Sequence, residues 1–311
     1  MTLYKYALAE RIDVLRNGLI RFSQPSVLND PWEMRPHIKS VFGDEFYERE
    51  VVSPLMRRTN DELIDEMTRI LFGVLRDNNI NHLSRDDLRA LVAEADKQFP
   101  GEMVEMFSTV IGEAAGILKE ALPHVIETIP SSIDKTIGLL SLTEKPDHPL
   151  MWSHYAGNHS GIVLAFDETH EFFTARLSDD DPISGLHKLV YTEERPTFET
   201  FIDMDMRDQP EPWLNKVFFT KSKEWEYEQE WRMIKVLKQA TKVIEHPEGN
   251  IHLFAFPPGC VSGVILGQKM RDEHRKAAVD FIRNDERYKH VTIFEAESSS
   301  TSYTLSIKTL S

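Results

Sequence analysis

The stretch Asp147-His-Pro-Leu-Met-Trp-Ser-His-Tyr-Ala-Gly-Asn-His-Ser-Gly-Ile-Val-Leu-Ala-Phe166 joins a polar and aromatic segment to a short apolar run. Residues 161–166 have the length and residue types of a buried strand. A second apolar run, at residues 137–142, comes shortly before the stretch. The polar and aromatic segment therefore connects two predicted strands, which indicates a sheet with binding chemistry beside it.

Strand patterns also occur towards both ends of the chain. Residues 3–6 and 19–23 are predicted strands, and the helix predicted between them ends at Gly18. Further strands are predicted at residues 187–191, 261–266, 291–294 and 303–307, with a helix at residues 271–283. Residues 44–134 instead show helical periods, with helices predicted after Thr59, after Ser84 and over residues 103–118. We therefore expect an α+β fold, in which a mixed, mainly antiparallel sheet core (residues 1–43 and 135–311) is interrupted by an all-helical insertion (residues 44–134).

Composition narrows the function classes. The chain has 311 residues and a formal net charge of −15, which disfavours bulk binding of nucleic acid. Its single cysteine, Cys260, excludes an internal disulfide and a multi-cysteine metal site and suits a reducing compartment. No apolar run approaches the roughly 18 residues of a membrane span, so we expect a cytoplasmic protein with no membrane partner. The glycine-rich dinucleotide fingerprint, the P-loop, the G-x-S-x-G elbow and the H-E-x-x-H motif are all missing.

The segment between the two central strands predicts a pocket. Trp152, Ser153, His154 and Tyr155 combine stacking faces with hydrogen-bond donors and acceptors, which suits a planar polar ligand. The alternative is a helical turn whose aromatic rings simply enter the core. The histidines of this segment match no familiar ligand spacing, so no metal is expected.

A second set of candidates lies in Lys221-Ser-Lys-Glu-Trp-Glu-Tyr-Glu-Gln-Glu-Trp-Arg232. If residues 226–233 form a strand, Glu226, Glu228 and Glu230 share one face, where nearby cations such as Arg232 and Lys221 must offset their repulsion. The alternatives are a charged edge strand or a surface helix. The local excess of basic residues over residues 216–242 favours an anionic ligand.

Polar residues near the amino terminus complete the candidate site. They line the same site if the first two strands lie beside the glutamate-bearing segment, and they are Tyr4, Lys5, Tyr6, Arg21, Ser23, Asn29 and Asp30. The alternative is structural, because tyrosine and arginine often cap a sheet edge and Asn29-Asp30-Pro31 is a good turn by itself.

Four blocks in order resemble a bacterial family of proteins of unknown function, the one numbered 2971. The blocks are Leu3-Tyr-Lys-Tyr6, residues 19–32, residues 150–167 and Trp225-Glu-Tyr-Glu-Gln-Glu-Trp-Arg232. Leu142 departs from the family, which has a Cys-Phe-Ser type of strand there. The family name carries no activity.

The order of elements is also similar, more remotely, to that of ADP-ribosyltransferases. This resemblance implies NAD as a substrate, with Glu228 or Glu230 hydrogen-bonding the ribose, residues 4–6 taking the first-strand role and Ser23 the second-strand role. The first strand departs from that family in having no His or Arg.

Three functions follow as hypotheses. The first is an NAD-consuming ADP-ribosyltransferase-like enzyme or NAD glycohydrolase, an effector of bacterial antiphage defence or toxicity, with a protein or nucleic-acid acceptor. The second is a non-catalytic module that binds a nucleotide-like small molecule and recruits a partner through the helical insertion. The third is a metal-dependent nuclease that uses Glu226, Glu228 and Glu230 with Lys235. The oligomeric state is left open.

Overall fold

A computed structural model describes residues 1–35, 37–40, 60–77, 83–98, 128, 130–176, 183–200, 210–247 and 249–310. The chain divides into two compact units. The first unit comprises Met1–His37, Ile129–Thr197 and Asp205–Ser311, and the second comprises Ile38–Thr128 and Phe198–Met204. Within the described ranges, no helix has the length and apolar character needed to cross a membrane.

The strands are β1 (Thr2–Ala7), β2 (Leu19–Phe22), β3 (His37–Ser40), β4 (Ile137–Thr143), β5 (Ile162–Asp167), β6 (Leu186–Lys188), β7 (Val190–Thr192), β8 (Thr197–Thr200), β9 (Thr220–Ser222), β10 (Glu230–Val236), β11 (Lys242–Ile244), β12 (Ile251–Ala255), β13 (Val261–Leu266), β14 (Thr292–Ser298) and β15 (Leu305–Thr309). The α-helices are α1 (Asp13–Asn17), α2 (Asn60–Asp77), α3 (Arg85–Gln98), α4 (Pro149–Tyr155), α5 (Glu171–Thr174), α6 (Pro210–Phe218) and α7 (Asp272–Asn284).

The main sheet of the first unit has eight strands in the order β15-β14-β13-β5-β1-β4-β10-β6. Neighbouring strands run antiparallel except β13 and β14, which run parallel. A smaller sheet has the order β11-β12-β2. The predicted α+β class with a mainly antiparallel mixed sheet is confirmed.

The centre of the main sheet follows from the apolar runs. Ile162 to Phe166 of β5 are all buried, as expected of a strand covered on both faces. The helix after β1 ends at Gly18, whose φ of 63° lies in the left-handed region that glycine adopts without steric cost. Leu3 and Leu15 join Leu164 in the core of this unit.

The second unit contains most of the described part of the predicted helical region, and residues 130–134 belong to the first unit. Helices α2 and α3 are joined by a buried apolar cluster of Ile64, Met67 and Val92. Helix α3 opens with a cap in which the backbone N–H of Asp87 donates to Ser84 Oγ at 3.1 Å, as the sequence predicted. The third predicted helix, over residues 103–118, and the cap at Thr59 lie outside the described residues. The predicted limits of the insertion stay a prediction.

A gap in the main sheet positions the site. On one side β1 pairs with β5 along its length, but on the other side it pairs with β4 only where Tyr4 lies opposite Thr143. Further along, Leu139 of β4 forms a bridge to Ser23, which directly follows β2. Strand β4 therefore diverges from β1 towards the end of β2, and the sheet opens between them.

Two strand predictions were wrong in detail. The predicted strand over residues 226–233 is a 3-10 helix, Lys223–Glu228, followed by Gln229 at φ 44° and then β10. Acidic residues alternate on both sides of Gln229, so the two-residue period predicted a strand that begins four residues before β10 does. The predicted strand at residues 187–191 is divided at Leu189, since β6 pairs with β10 and β7 pairs with β9.

Candidate functional site

A cavity of about 310 Å³ lies at the gap between β1 and β4. Its walls come from β1, the loop after β2, β4, α4 and the segment that leads into β10. The lining residues are Tyr4, Lys5, Tyr6, Ser23, Val27, Leu28, Asn29, Glu33, Leu139, Ser141, Leu142, Thr143, Met151, His154, Tyr155, Lys221, Glu228 and Glu230. Ligand sites are commonly clefts of about 300–1,000 Å³, so this cavity suits a small polar molecule or one part of a larger one.

Five buried charged side chains form one wall of the cavity and the layer behind it. We name this set the charge network, and its members are Glu33, Lys221, Glu228, Glu230 and Arg232. Lys221 Nζ donates to Glu228 Oε2 at 2.7 Å and to Glu230 Oε2 at 2.8 Å, and it lies 4.0 Å from Glu33 Oε2. The Lys221 ammonium therefore lies among three carboxylates.

Arg232 holds the network from behind the cavity. Its Nη2 donates to Glu230 Oε1 at 2.9 Å and also to Glu33, and its Nη1 donates to the carbonyl oxygen of Phe218 at 2.7 Å. The side chain is fully buried. Since a buried charge is stable only when paired and hydrogen-bonded, these contacts explain how an arginine occupies the interior.

Burial and neighbouring charges shift the pKa values of three members of the charge network in opposite directions. Burial alone would raise the pKa of Glu230, but Arg232 and Lys221 hold it well below its ordinary value. Burial alone would likewise lower the pKa of Lys221, but the neighbouring carboxylates, Glu230 first, raise it. Burial raises the pKa of Glu33, which Arg232 and Lys221 only partly offset. Lys221 and Glu230 are therefore charged at neutral pH.

Glu228 accepts two hydrogen bonds besides the one from Lys221. Tyr155 donates its hydroxyl hydrogen to Glu228 Oε1 at 2.6 Å, and Asn29 Nδ2 donates to the Tyr155 hydroxyl oxygen at 3.1 Å. The Thr143 hydroxyl donates to the backbone carbonyl of Glu228. Burial and the Glu228 charge raise the pKa of Tyr155, so its phenol stays protonated and acts as a donor.

Local backbone geometry separates the glutamates of this segment. Gln229, in the left-handed region, turns the chain from the 3-10 helix into β10, and Glu228 and Glu230 on either side of it both face Lys221. Glu226, one turn earlier, is exposed to solvent. Two of the three acidic residues therefore belong to the site.

The structure brings most of the candidate residues together. Those that line the cavity are Tyr4, Lys5, Tyr6, Ser23, Asn29, His154, Tyr155, Glu228 and Glu230.

The other candidates lie elsewhere. Trp152 is fully buried, and its indole nitrogen donates to the Pro146 carbonyl oxygen. For this residue the structure agrees with the alternative, in which the ring enters the core. Ser153 is within hydrogen-bond distance of His159, at 3.2 Å. Asp30 accepts from the backbone N–H of Trp32 and so shapes the turn that carries Glu33.

Arg21 and Arg232 are likewise not lining residues. Arg21 lies on β2 in the smaller sheet, opposite Leu253 of β12. Arg232 acts through Glu230 and Glu33 from the buried layer.

Sequence reasoning missed Glu33. Glu33 directly follows residues 19–32, one of the four blocks that resemble the family. This position next to the block was the sequence signal that could have identified it. Its partner Arg232 lies 199 residues away in the chain, and no periodicity connects two such positions. Lys221, considered only as one of several local cations, is the centre of the network.

The possible metal ligands among the described residues do not form a cluster. Among the residues that the structure describes, no group of three His, Cys, Asp or Glu side chains could hold a metal ion. The position between Glu228 and Glu230 is occupied by the Lys221 ammonium. Lys235, predicted to assist a nuclease, alternates to the face of β10 opposite Glu230, where its ammonium lies 4.4 Å from the centre of the Phe172 ring.

The fold and the site define an α+β protein with a charged, polar cavity at a gap in its main sheet. Residues 151–233 match the model of the family described as Protein of unknown function (DUF2971). The matched segment contains most of the third block of the predicted resemblance and all of the fourth, so the resemblance to this family is confirmed. Comparison with curated proteins and with solved structures gave no match.

Proposed function

We propose that this chain consumes NAD, as an ADP-ribosyltransferase-like enzyme or an NAD glycohydrolase, with Glu228 as the carboxylate beside the ribose. The observation that carries the proposal is the position of Glu228 on the cavity wall, where Tyr155 and Lys221 each hold one of its oxygens. A carboxylate held in a fixed position beside the ribose can stabilise the positive charge that develops during glycosyl transfer from NAD.

The chemistry follows from charge development. As the bond between nicotinamide and ribose breaks, positive charge builds on the ribose, and a nearby carboxylate stabilises it. Glu228 supplies that charge, Tyr155 holds one of its oxygens, and Asn29 in turn donates to the Tyr155 hydroxyl. Attack by water then gives hydrolysis, and attack by a protein or nucleic-acid nucleophile gives transfer.

The cavity has room for the part of NAD that reacts. At about 310 Å³ it lies at the small end of ligand sites, which suits the nicotinamide and its ribose rather than the whole dinucleotide. Tyr4, Tyr6 and Tyr155 supply aromatic surface, while Ser23 and Asn29 supply polar contacts. Loss of NAD is damaging to any cell, so we extend the proposal to an effector of bacterial defence or toxicity that acts in the cytoplasm.

The test is release of nicotinamide from NAD by the purified chain, with and without cell lysate. Glu228→Gln keeps the size of the side chain and removes its charge, and we expect release to fall at least about a hundredfold, as for loss of one electrostatic group in an active site. Glu226→Gln is the matched control, because Glu226 lies on the same 3-10 helix and is exposed. Turnover unchanged in Glu228→Gln would overturn the proposal.

One observation favours a second function, a non-catalytic module that binds a nucleotide-like molecule. Each oxygen of Glu228 already has a partner within the chain, so part of its charge is neutralised before any ligand arrives. Binding of NAD or a nucleotide to the folded wild-type chain, measured by calorimetry, without release of nicotinamide would favour this function over catalysis.

A further inference from the structure

Lys5 differs from the other lysine of the cavity. Its Nζ donates to the backbone carbonyl oxygen of Ser141 at 2.9 Å, across the gap between β1 and β4. In the described parts of the chain, no carboxylate oxygen lies within ion-pair distance of this ammonium. Lys221, in contrast, is paired directly with Glu228 and Glu230. Of the two lysines that line the cavity, Lys221 is therefore paired with carboxylates, whereas Lys5 is hydrogen-bonded to a neutral carbonyl.

The divergence of the strands explains the position of Lys5. Because β4 leaves β1 after the pair of Tyr4 and Thr143, the Ser141 carbonyl is not used by β1 as it would be in a continuous ladder. The Lys5 side chain reaches across the gap to this carbonyl, and Lys5 is one of the residues that line the cavity.

We propose that Lys5 is an amine nucleophile of this cavity, and that it forms an imine with small carbonyl compounds that enter it. This inference goes beyond NAD consumption and does not depend on it, since it concerns only the amine and its access to the cavity.

The protonation of Lys5 is consistent with this role. Burial lowers the pKa of Lys5 to about 8, against the opposing effect of Glu230 and Glu228. The cations Arg21 and Lys221 lower it further. About one-fifth of the Lys5 side chains are then neutral at pH 7.4, compared with about one in a thousand for an ordinary lysine. Only the neutral amine has the lone pair that attacks a carbonyl carbon.

The reaction balances without an oxidant or reductant. The Lys5 nitrogen forms a bond to the carbonyl carbon, and the carbonyl oxygen takes up a proton to give a carbinolamine. The proton that the oxygen takes up is the equivalent of one lost by the nitrogen, and the single proton left on the nitrogen then leaves with the hydroxyl as water, so that an imine results.

The test is site-resolved labelling of the wild-type chain with 4-formylbenzoate and cyanoborohydride, which traps the imine as a stable amine. Mass spectrometry of peptides, with fragment ions that separate Lys5 from the amino-terminal amine, gives the rate at each lysine. Lys221 of the same cavity and Lys242, exposed on β11, are internal references.

We expect Lys5 to be labelled at least about tenfold faster than either reference at pH 7.4, with a rate that rises through a midpoint near pH 8. In Lys5→Arg the corresponding label should disappear while that at Lys242 persists. The proposal is overturned if Lys5 in the wild-type chain reacts no faster than Lys242, or if its rate rises only near pH 10.5. Both readings come from the wild-type chain, so they do not require the variant to fold.

Discussion

Replacing Arg232 by methionine tests whether the charge network stabilises the first unit. Methionine fills much of the same space but leaves two buried carboxylates, Glu33 and Glu230, without the guanidinium. Four hydrogen bonds are lost, including the one to the Phe218 carbonyl. Removing one partner of a buried ion pair typically costs about 3–5 kcal/mol, so we expect the free energy of unfolding to fall by about that amount.

Urea unfolding followed by tryptophan fluorescence measures this change. All five tryptophans of the chain fall in the first unit, so the signal reports on that unit. Lys289→Met is the matched control. It also replaces a cation with a thioether, but at the surface, where Lys289 pairs with Glu286. The control should alter the free energy of unfolding by no more than about 0.5 kcal/mol.

A double variant separates the ion pair from general packing. In Glu33→Gln with Arg232→Met, one of the two carboxyl groups that lose the guanidinium is also removed, and Glu230 still has Lys221. We expect the double variant to lose less stability than the sum of the two single variants, with a coupling of at least about 1 kcal/mol. If Arg232→Met matches Lys289→Met, or if the two changes simply add, the reasoning from the buried ion pair is refuted.

Three further predictions concern the backbone, the site and pH. Gly161→Ala should lower the free energy of unfolding by about 1–3 kcal/mol in urea titrations, because its methyl group would overlap the Ala7 carbonyl oxygen; wild-type stability would contradict this. Tyr155→Phe removes the donor to Glu228 and should weaken nucleotide binding about tenfold by calorimetry, whereas equal affinity would exclude a role in the site. The pKa of Lys5, about 8 when folded and 10.5 as its ordinary value, means that the folded chain releases this proton first. The wild-type chain should therefore gain stability relative to Lys5→Met as pH rises from 8 to 10.5, and a constant difference would disprove the shift.

Much of the candidate site was predictable because its residues occur in recognisable local patterns. The apolar run of β5 and the helix that ends at Gly18 gave the centre of the sheet. Tyr155 was identified because polar and aromatic residues cluster before β5. Trp152 was ambiguous for the same reason, since one local pattern fits both a core residue and a pocket residue, and only packing places it in the core.

Local sequence patterns are enough to predict the fold class, most strands of the main sheet and the short segments that line the cavity, because these depend on hydrophobic period, turn residues and apolar runs among residues close in the chain. The tertiary structure alone decided which charges pair. Glu33 meets Arg232 across 199 residues of chain, and Lys221 lies between Glu228 and Glu230 only because a left-handed residue turns the chain between them. The gap that opens the cavity also depends on the divergence of β4 from β1. Such contacts follow from the order and divergence of strands that are distant in sequence, which local physical preferences do not encode.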